Sequence, residues 1–328
     1  MKRIALVGQP NAGKSTLFNA LVGYRAVASN FPGTTVELLR GKALVGGRPV
    51  EIVDLPGTYS LLAGDRAEQV ARDFLTSGEV DAVVNVVDAS LLGRSLELTL
   101  ELAELGLPMV VCLNMLDEAG HKGIEIDAEK LSQLLGVPVV GTVAARGVGL
   151  KRLLSAIPEA RPARPPRYSA DVERAISRVK EAIGPLAEAS NLPTRYVAIR
   201  LLSGDPAPGA LDRVGLSQAV EGAREELERA RGEDPALVLS AERHAAAHRL
   251  FEQVAQVGHA RVGWRERADD LLMHPFLAYP ILAAVLFGLF WLVFRVGGLL
   301  EGLLLPPLEG LSDWLGAALG GGLAAQLR

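Results

Sequence analysis

The octapeptide Gly8-Gln-Pro-Asn-Ala-Gly-Lys-Ser15 constrains this chain more than any other stretch. It fits G-x-x-x-x-G-K-[ST], a phosphate-binding loop. Arg3-Ile-Ala-Leu-Val7 before it reads as a short buried strand, and Thr16-Leu-Phe-Asn-Ala-Leu-Val22 after it reads as a helix. Strand, glycine loop and helix together give the match physical meaning. Gly8 and Gly13 let the backbone bend so that its N–H groups converge on an anion. The helix N-terminus adds partial positive charge. Lys14 is placed to reach β- and γ-phosphates, and Ser15 offers a hydroxyl to Mg²⁺.

The residues that follow keep to the same plan. Residues 23–40 read as a polar loop containing Asn30-Phe-Pro-Gly-Thr-Thr-Val-Glu37, of a kind that a ligand orders. Two strands, at 41–45 and 50–53, join through a tight turn at Gly46 and Gly47. The second ends in Asp54-Leu-Pro-Gly57, a D-x-x-G element about forty residues beyond the loop. A carboxylate there suits Mg²⁺, and the Gly57 N–H suits a γ-phosphate. Further apolar runs at 80–87, 109–113 and 137–140 read as buried strands, with helices at 95–105 and 150–156 between and after them. Asn114-Met-Leu-Asp117 closes the 109–113 run. In an N-x-x-D element the Asp accepts two hydrogen bonds from guanine, a pair that adenine lacks. The spacing predicts a mostly parallel sheet with helices on both faces, its ligand outside the carboxyl ends of the strands.

The second half differs. Residues 158–166 are rich in Pro and Arg and read as a linker. Helical spacing then runs through 171–182, 216–231 and 240–257, predicting an all-helical domain. His244 and His248 stand one turn apart, where a solvated or domain-facing surface outweighs a metal pair without a third ligand. Phe276 to Phe294 holds no charged residue, and its length of about nineteen is near what a bilayer requires. Arg261, Arg265 and Arg267 precede it and Glu301, Glu309 and Asp313 follow it, an asymmetry that puts the preceding domains in the cytoplasm. Cys112 is the one cysteine and sits in an apolar run, so it reads as a core residue. With 34 basic against 38 acidic residues and a net charge of −4, the chain has no basic platform for nucleic acid.

These motifs resemble the ferrous iron transport protein B family. Asn85-Val-Val-Asp88 and His274-Pro-Phe-Leu-Ala-Tyr-Pro280 share the likeness with the stretches quoted above. The resemblance implies a P-loop GTPase domain at 1–160, a linker at 161–167 and a helical regulatory domain at 168–262. A juxtamembrane segment at 263–275, a transmembrane helix at 276–295 and an apolar tail at 296–328 would follow. The tail, interrupted by Pro306 and Pro307, reads as a truncated membrane domain, because the family continues through several more membrane helices. The implied activity is GTP hydrolysis to GDP and phosphate, gating or driving Fe²⁺ uptake at the bacterial inner membrane. The implied partners are the lipid bilayer, small accessory transport proteins and further copies of the chain.

The implied nucleotide contacts are Gly8, Gln9, Pro10, Asn11, Ala12, Gly13, Lys14, Ser15 and Thr16, then Gly33, Thr34 and Thr35, then Asp54, Leu55, Pro56 and Gly57. Asn114, Met115 and Asp117 would read the base, with the backbone of Val143 and Ala144. Asn11, Lys14, Thr35 and Gly57 would carry catalysis. Mg²⁺ would take Ser15, Thr35 and Asp54, and K⁺ would take Asn11. Thr58 stands where a Ras-like enzyme has a water-positioning glutamine, so slow hydrolysis is expected. Two rival readings remain open at this point: a soluble Era-like GTPase acting on ribosomes or RNA, and a nucleotide sensor without a transport role.

Overall fold

The apolar run at the N-terminus becomes β1 (Lys2–Gly8), buried from Ile4 onward. Its side chains alternate between two cores. Ala5 and Val7 face one layer, Ile4 and Leu6 the other. A strand covered on both faces needs an unbroken hydrophobic run, which is what this stretch supplies. The computed structural model describes residues 1–22, 26–31, 36–62, 64–184, 192–205, 214–258 and 272–318.

After β1 come α1 (Lys14–Val22), β2 (Val27–Asn30), β3 (Glu37–Val45), β4 (Arg48–Asp54), α2 (Arg66–Thr76), β5 (Ala82–Asp88), α3 (Leu92–Leu105) and β6 (Pro108–Asn114). Then follow α4 (Leu116–His121), β7 (Ile124–Ile126), α5 (Ala128–Leu135), β8 (Val139–Gly141), α6 (Leu150–Ala156) and β9 (Arg161–Pro162). The main sheet runs β2-β3-β4-β1-β5-β6-β8, with β9 paired to β6. The pairs β4-β1, β1-β5, β5-β6 and β6-β8 are parallel; β2-β3, β3-β4 and β6-β9 are antiparallel. The mostly parallel α/β architecture expected from the strand spacing is therefore present. Gly46 and Gly47, at φ +56° and +77°, make the left-handed turn between β3 and β4.

Several local expectations are corrected. Residues 27–30, read as loop, form the edge strand β2, because backbone pairing with β3 supplies what a polar sequence does not. The helix α2 carried a legible signal: the Asp65 side chain accepts from the Glu68 N–H at 2.8 Å and caps it. The linker is strapped down, with β9 on the sheet edge and the Arg164 N–H donating to the Leu135 carbonyl at 2.8 Å.

The helical part comprises α7 (Ala170–Ile183), α8 (Thr194–Leu202), α9 (Val214–Arg231) and α10 (Pro235–Val254). Val172, Ile176, Val179, Ile199, Leu202 and Leu227 form its core. Helix α10 serves two cores: Val238 and Leu239 join the helical one, while Ala246, Ala247 and Val254 pack with α3 against the sheet. Helix α10 also ends earlier than its periodicity predicts. Residues 255–257 turn extended as β10 (Ala255–Val257) and pair antiparallel with β7, because an available edge overrides helical propensity. Residues 1–261 form one compact unit.

Residues 262–328 form a second unit. Its described part is dominated by α11 (Ala278–Ala318), of 41 residues. The span Ala278–Leu315 contains an 18-residue window of mean hydropathy 2.1 and is the one described helix long and apolar enough to cross a membrane. None of its most apolar window is buried within the molecule. The helix neither stops at 295 nor breaks at Pro306 and Pro307, contrary to expectation, and at 1.5 Å per residue it extends about 60 Å. Arg261, Arg265 and Arg267 lie outside the described residues.

Candidate functional site

The phosphate loop leaves β1 at Gly8, a position that only glycine can occupy. A Cβ there would stand 2.4 Å from the Val86 carbonyl oxygen on β5. The Ala12 N–H turns back to the Gln9 carbonyl at 3.3 Å. Gly13 closes the loop at φ +83°, and a Cβ there would meet Asn114 Nδ2 at 2.3 Å. Helix α1 begins at Lys14 with its N-terminus toward the loop. Gln9 does not face outward: its Nε2 donates to the Arg94 carbonyl at 2.9 Å, tying the loop to α3. Asn11, Ser15 and Thr16 are exposed.

The end of β4 comes against this loop. The Leu55 N–H donates to the Leu6 carbonyl at 3.1 Å, and the Thr58 N–H to the Gly8 carbonyl at 3.2 Å. A Cβ on Gly57 would stand 3.1 Å from Pro10 backbone atoms. Asp54, 6% exposed, is the hub. Its Oδ1 lies 2.6 Å from Lys14 Nζ, and its Oδ2 accepts from Ser15 Oγ at 3.3 Å. A buried cation, a buried carboxylate and a hydroxyl thus share one point at the carboxyl end of the sheet. The donor set at Ser15 and Asp54 is hard oxygen, which fits Mg²⁺.

The third motif meets the first through Asn114. Its Nδ2 donates to the Ala12 carbonyl at 3.0 Å, while its Oδ1 accepts from the Ala144 N–H at 3.0 Å and from Thr142 Oγ1 at 3.1 Å. Both ends of this side chain are engaged, so it clamps three loops together. Asp117, in the first turn of α4, is partly open and pairs with Arg146 at 3.5 Å. Arg146 escaped the sequence reading, because nothing in its local pattern marks it. Residues 143 and 148 close the base loop with reciprocal backbone bonds at 3.1 and 3.2 Å.

Backbone strain concentrates here. Among the described residues, the two non-glycine positions at positive φ are Asn11 (+67°) and Met115 (+60°). Asn tolerates that region, whereas Met does not visit it without compensation. One lies in the phosphate loop and the other between Asn114 and Asp117. Gly33, Thr34 and Thr35 fall outside the described residues.

Other motif residues are structural supports. Asn85 Nδ2 donates to Thr99 Oγ1 on α3 at 2.6 Å, and the Asp88 side chain caps the turn at Ser90 with a 2.8 Å bond. Ser60, just beyond Gly57, donates through Oγ to Glu101 at 2.8 Å, and the Leu61 N–H donates to the same carboxylate. Arg243 on α10 lies 3.0 Å from Glu101 and 3.3 Å from Glu104, and the Tyr168 hydroxyl donates to Glu104. Burial pushes the Glu101 carboxyl above its ordinary range, with Arg243 opposing. His244 Nδ1 lies 2.7 Å from Glu97 Oε1, and the described residues contain no cluster of three metal-ligating side chains.

Comparison with known proteins gives a consistent result. The family described as ferrous iron transport protein B matches residues 2–157, and that described as the FeoB cytosolic helical domain matches residues 168–256. The Fe(2+) transporter FeoB of Salmonella choleraesuis is 37% identical over 315 residues, covering 91% of this chain and 39% of that protein. The protein of the same name from Escherichia coli K12 is 35% identical over 316 residues, with the same coverage. This chain therefore spans about two fifths of the length of these relatives. Among solved structures, a GDP-bound mutant of S. thermophilus NFeoB superposes with a TM-score of 0.70 at 34% identity, covering 78% of this chain and 100% of that one. The cytosolic domain of T. maritima FeoB in its GMPPNP form gives 0.67 at 32% identity, with the same coverage. A GTPase fold, a matching helical domain and these identities lead to one conclusion: the chain belongs to the ferrous iron transport protein B family, and its first half is a P-loop GTPase domain.

Proposed function

We propose that this GTPase is the cytoplasmic nucleotide switch of an Fe²⁺ uptake system, held at a membrane by α11. The observation that carries the reading is the meeting of Lys14, Ser15 and Asp54 at one point beside the phosphate loop. GTP would lie along residues 8–16 with its polyphosphate on backbone N–H groups and Lys14. Ser15 and Asp54, with Thr35, would hold Mg²⁺, which neutralises phosphate charge when bound. Asn114 fixes the loops around the base, and Asp117 accepts from guanine, its carboxylate oriented by Arg146.

Hydrolysis in this site relies on positioning. Gly57 would present its N–H to the γ-phosphate. Thr58 cannot stand in for a water-orienting glutamine, because the residue is only 1% exposed and its hydroxyl donates to the Ser60 carbonyl at 2.6 Å. Asn11 offers a neutral carboxamide oxygen from a left-handed backbone position, suited to K⁺, which supplies the charge that an arginine finger would otherwise bring.

Phosphate release by the full chain in neutral detergent tests this reading. Turnover should be slow and faster in K⁺ than in Na⁺, with the difference abolished by Asn11→Ala. Equal rates in both salts would remove the K⁺ role. Absence of GTP hydrolysis in either would remove the switch. The transport role is tested by replacing the corresponding region of a relative with this chain and measuring GTP-dependent Fe²⁺ uptake.

A further inference from the structure

A crevice of about 810 Å³ opens in residues 1–261, and no residue of the phosphate loop is among those lining it. It lies between α3 and α5 on one side and α7 and α10 on the other, with the strap at 164–168 along its edge. Four guanidinium groups line it, those of Arg164, Arg167, Arg195 and Arg249. One carboxylate lines it, that of Glu173, and Arg195 already engages both its oxygens at 2.7 Å. Arg167 and Arg249 form no ion pair among the described residues, and Arg164 reaches no carboxylate there. The lining therefore carries an excess of about three positive charges in a protein whose net charge is −4. Like charges gathered in a concavity repel one another, and an anion relieves that repulsion.

The crevice is also partly prebuilt. Arg195 is held by Glu173, by the Pro166 carbonyl at 2.9 Å and by the Tyr168 ring, whose centroid is 5.5 Å from its Cζ. Its Nε is buried without an acceptor among the described residues. Arg164 is anchored through Nη1 on the Gln133 carbonyl at 3.0 Å and makes no other side-chain hydrogen bond among the described residues. Pro165 and Pro166 stiffen the rim, and leucine side chains of α3, α5 and α10 give the floor an apolar wall. The volume falls within the range of about 300–1,000 Å³ typical of small-molecule sites. Guanidinium forks match phosphoryl oxygens bidentately.

We propose that this crevice binds a small polyanion bearing phosphoryl groups, at a site separate from the nucleotide loop. Arg164 on the strap and Arg249 on α10 take the charge, beside Arg195 held on Glu173. The phosphoryl group belongs either to a free metabolite or to an anionic lipid headgroup.

Titration calorimetry on the full chain in neutral detergent, saturated with GDP so that the phosphate loop is closed to the probe, tests this. Inorganic pyrophosphate in magnesium-free buffer is one probe; dihexanoyl phosphatidylglycerol below its micelle concentration is the other. We expect one saturable site that weakens as salt rises. The double variant Arg164→Ala/Arg249→Ala should weaken it about tenfold or more, with GTP turnover unchanged, and Arg249→Lys should weaken it less. Binding of pyrophosphate assigns the site to free phosphates; binding of the lipid alone assigns it to headgroups. No saturable binding of either probe would overturn the proposal. So would equal affinity for the wild type and the double variant.

Discussion

At the scale of single residues, the site is built from positions where no neighbouring residue type would serve. Gly13 combines a left-handed φ with a backbone too close to Asn114 for a Cβ. Gly13→Ala should therefore cost about 1–2 kcal/mol from the φ alone. It should also weaken GDP binding by an order of magnitude or more, because Asn114 must let go of Ala12, Thr142 or Ala144 to make room. Urea denaturation and a GDP titration measure the two parts, and wild-type values for both would contradict the packing described. Asp117→Asn tests base reading: it should exchange preference for guanine nucleotides for preference for xanthine nucleotides, since the amide reverses one donor–acceptor pair. Unchanged GTP affinity would count against Asp117 as the reader of the base. Met115 matters for a different reason. Its strained φ turns the chain sharply at the end of β6, so that Asn114 points into the loops while Asp117 stands on α4.

At the scale of elements, α3 and α10 form the seam between sheet and helical part. The seam is unusual in its burial of charge. Arg243, Glu101 and Glu104 are all buried, one cation to two carboxylates. Arg243→Met would strand both carboxylates and should cost about 3–5 kcal/mol. The pH dependence has a definite sign. Burial holds the folded-state pKa of Glu101 above its unfolded value of about 4.3. The native state thus keeps a proton that the unfolded chain releases first. The stability this group contributes is present below the unfolded value and is lost as pH rises through the folded one. Removing Arg243 removes the main opposing influence, so the loss should be larger at pH 8 than at pH 5 in urea titrations. A variant whose deficit stays the same across that range would show that Glu101 does not govern it. The same carboxylate holds Ser60 and Leu61, so the segment after Gly57 is fixed by α3 at this seam.

At the scale of the whole molecule, two units of opposite character share one chain. The described part of residues 1–261 buries its apolar side chains in three cores. Residues of α11 expose Phe287, Phe290, Trp291 and Phe294 to their surroundings. In water such a surface associates or aggregates, whereas in hydrocarbon it is solvated. The full chain should therefore pellet with membranes, resist extraction by high salt and dissolve in detergent. Recovery in the soluble fraction without detergent would remove the membrane assignment and return weight to a soluble GTPase.

Much of this was written in local sequence. The phosphate loop, D-x-x-G, N-x-x-D and the parallel alternation all follow from short-range chemistry: glycines where backbone must approach, apolar runs where strands are buried twice, and polar residues at strand ends. The apolar span announced itself in the same way, through length and lack of charge, though its continuation past Pro306 and Pro307 did not. Other features had no local signal because their causes are distant in sequence. The strand β2 exists through pairing with β3, and β10 through pairing with β7. Asn114 proved to be a clamp because Ala12 and Ala144, far away along the chain, come within 3.0 Å of it. Arg243 meets Glu104, and Arg146 meets Asp117, only once the helices and loops have packed. Residue type fixes which chemistry a position can supply, but burial and long-range approach decide which of those groups are free to use it.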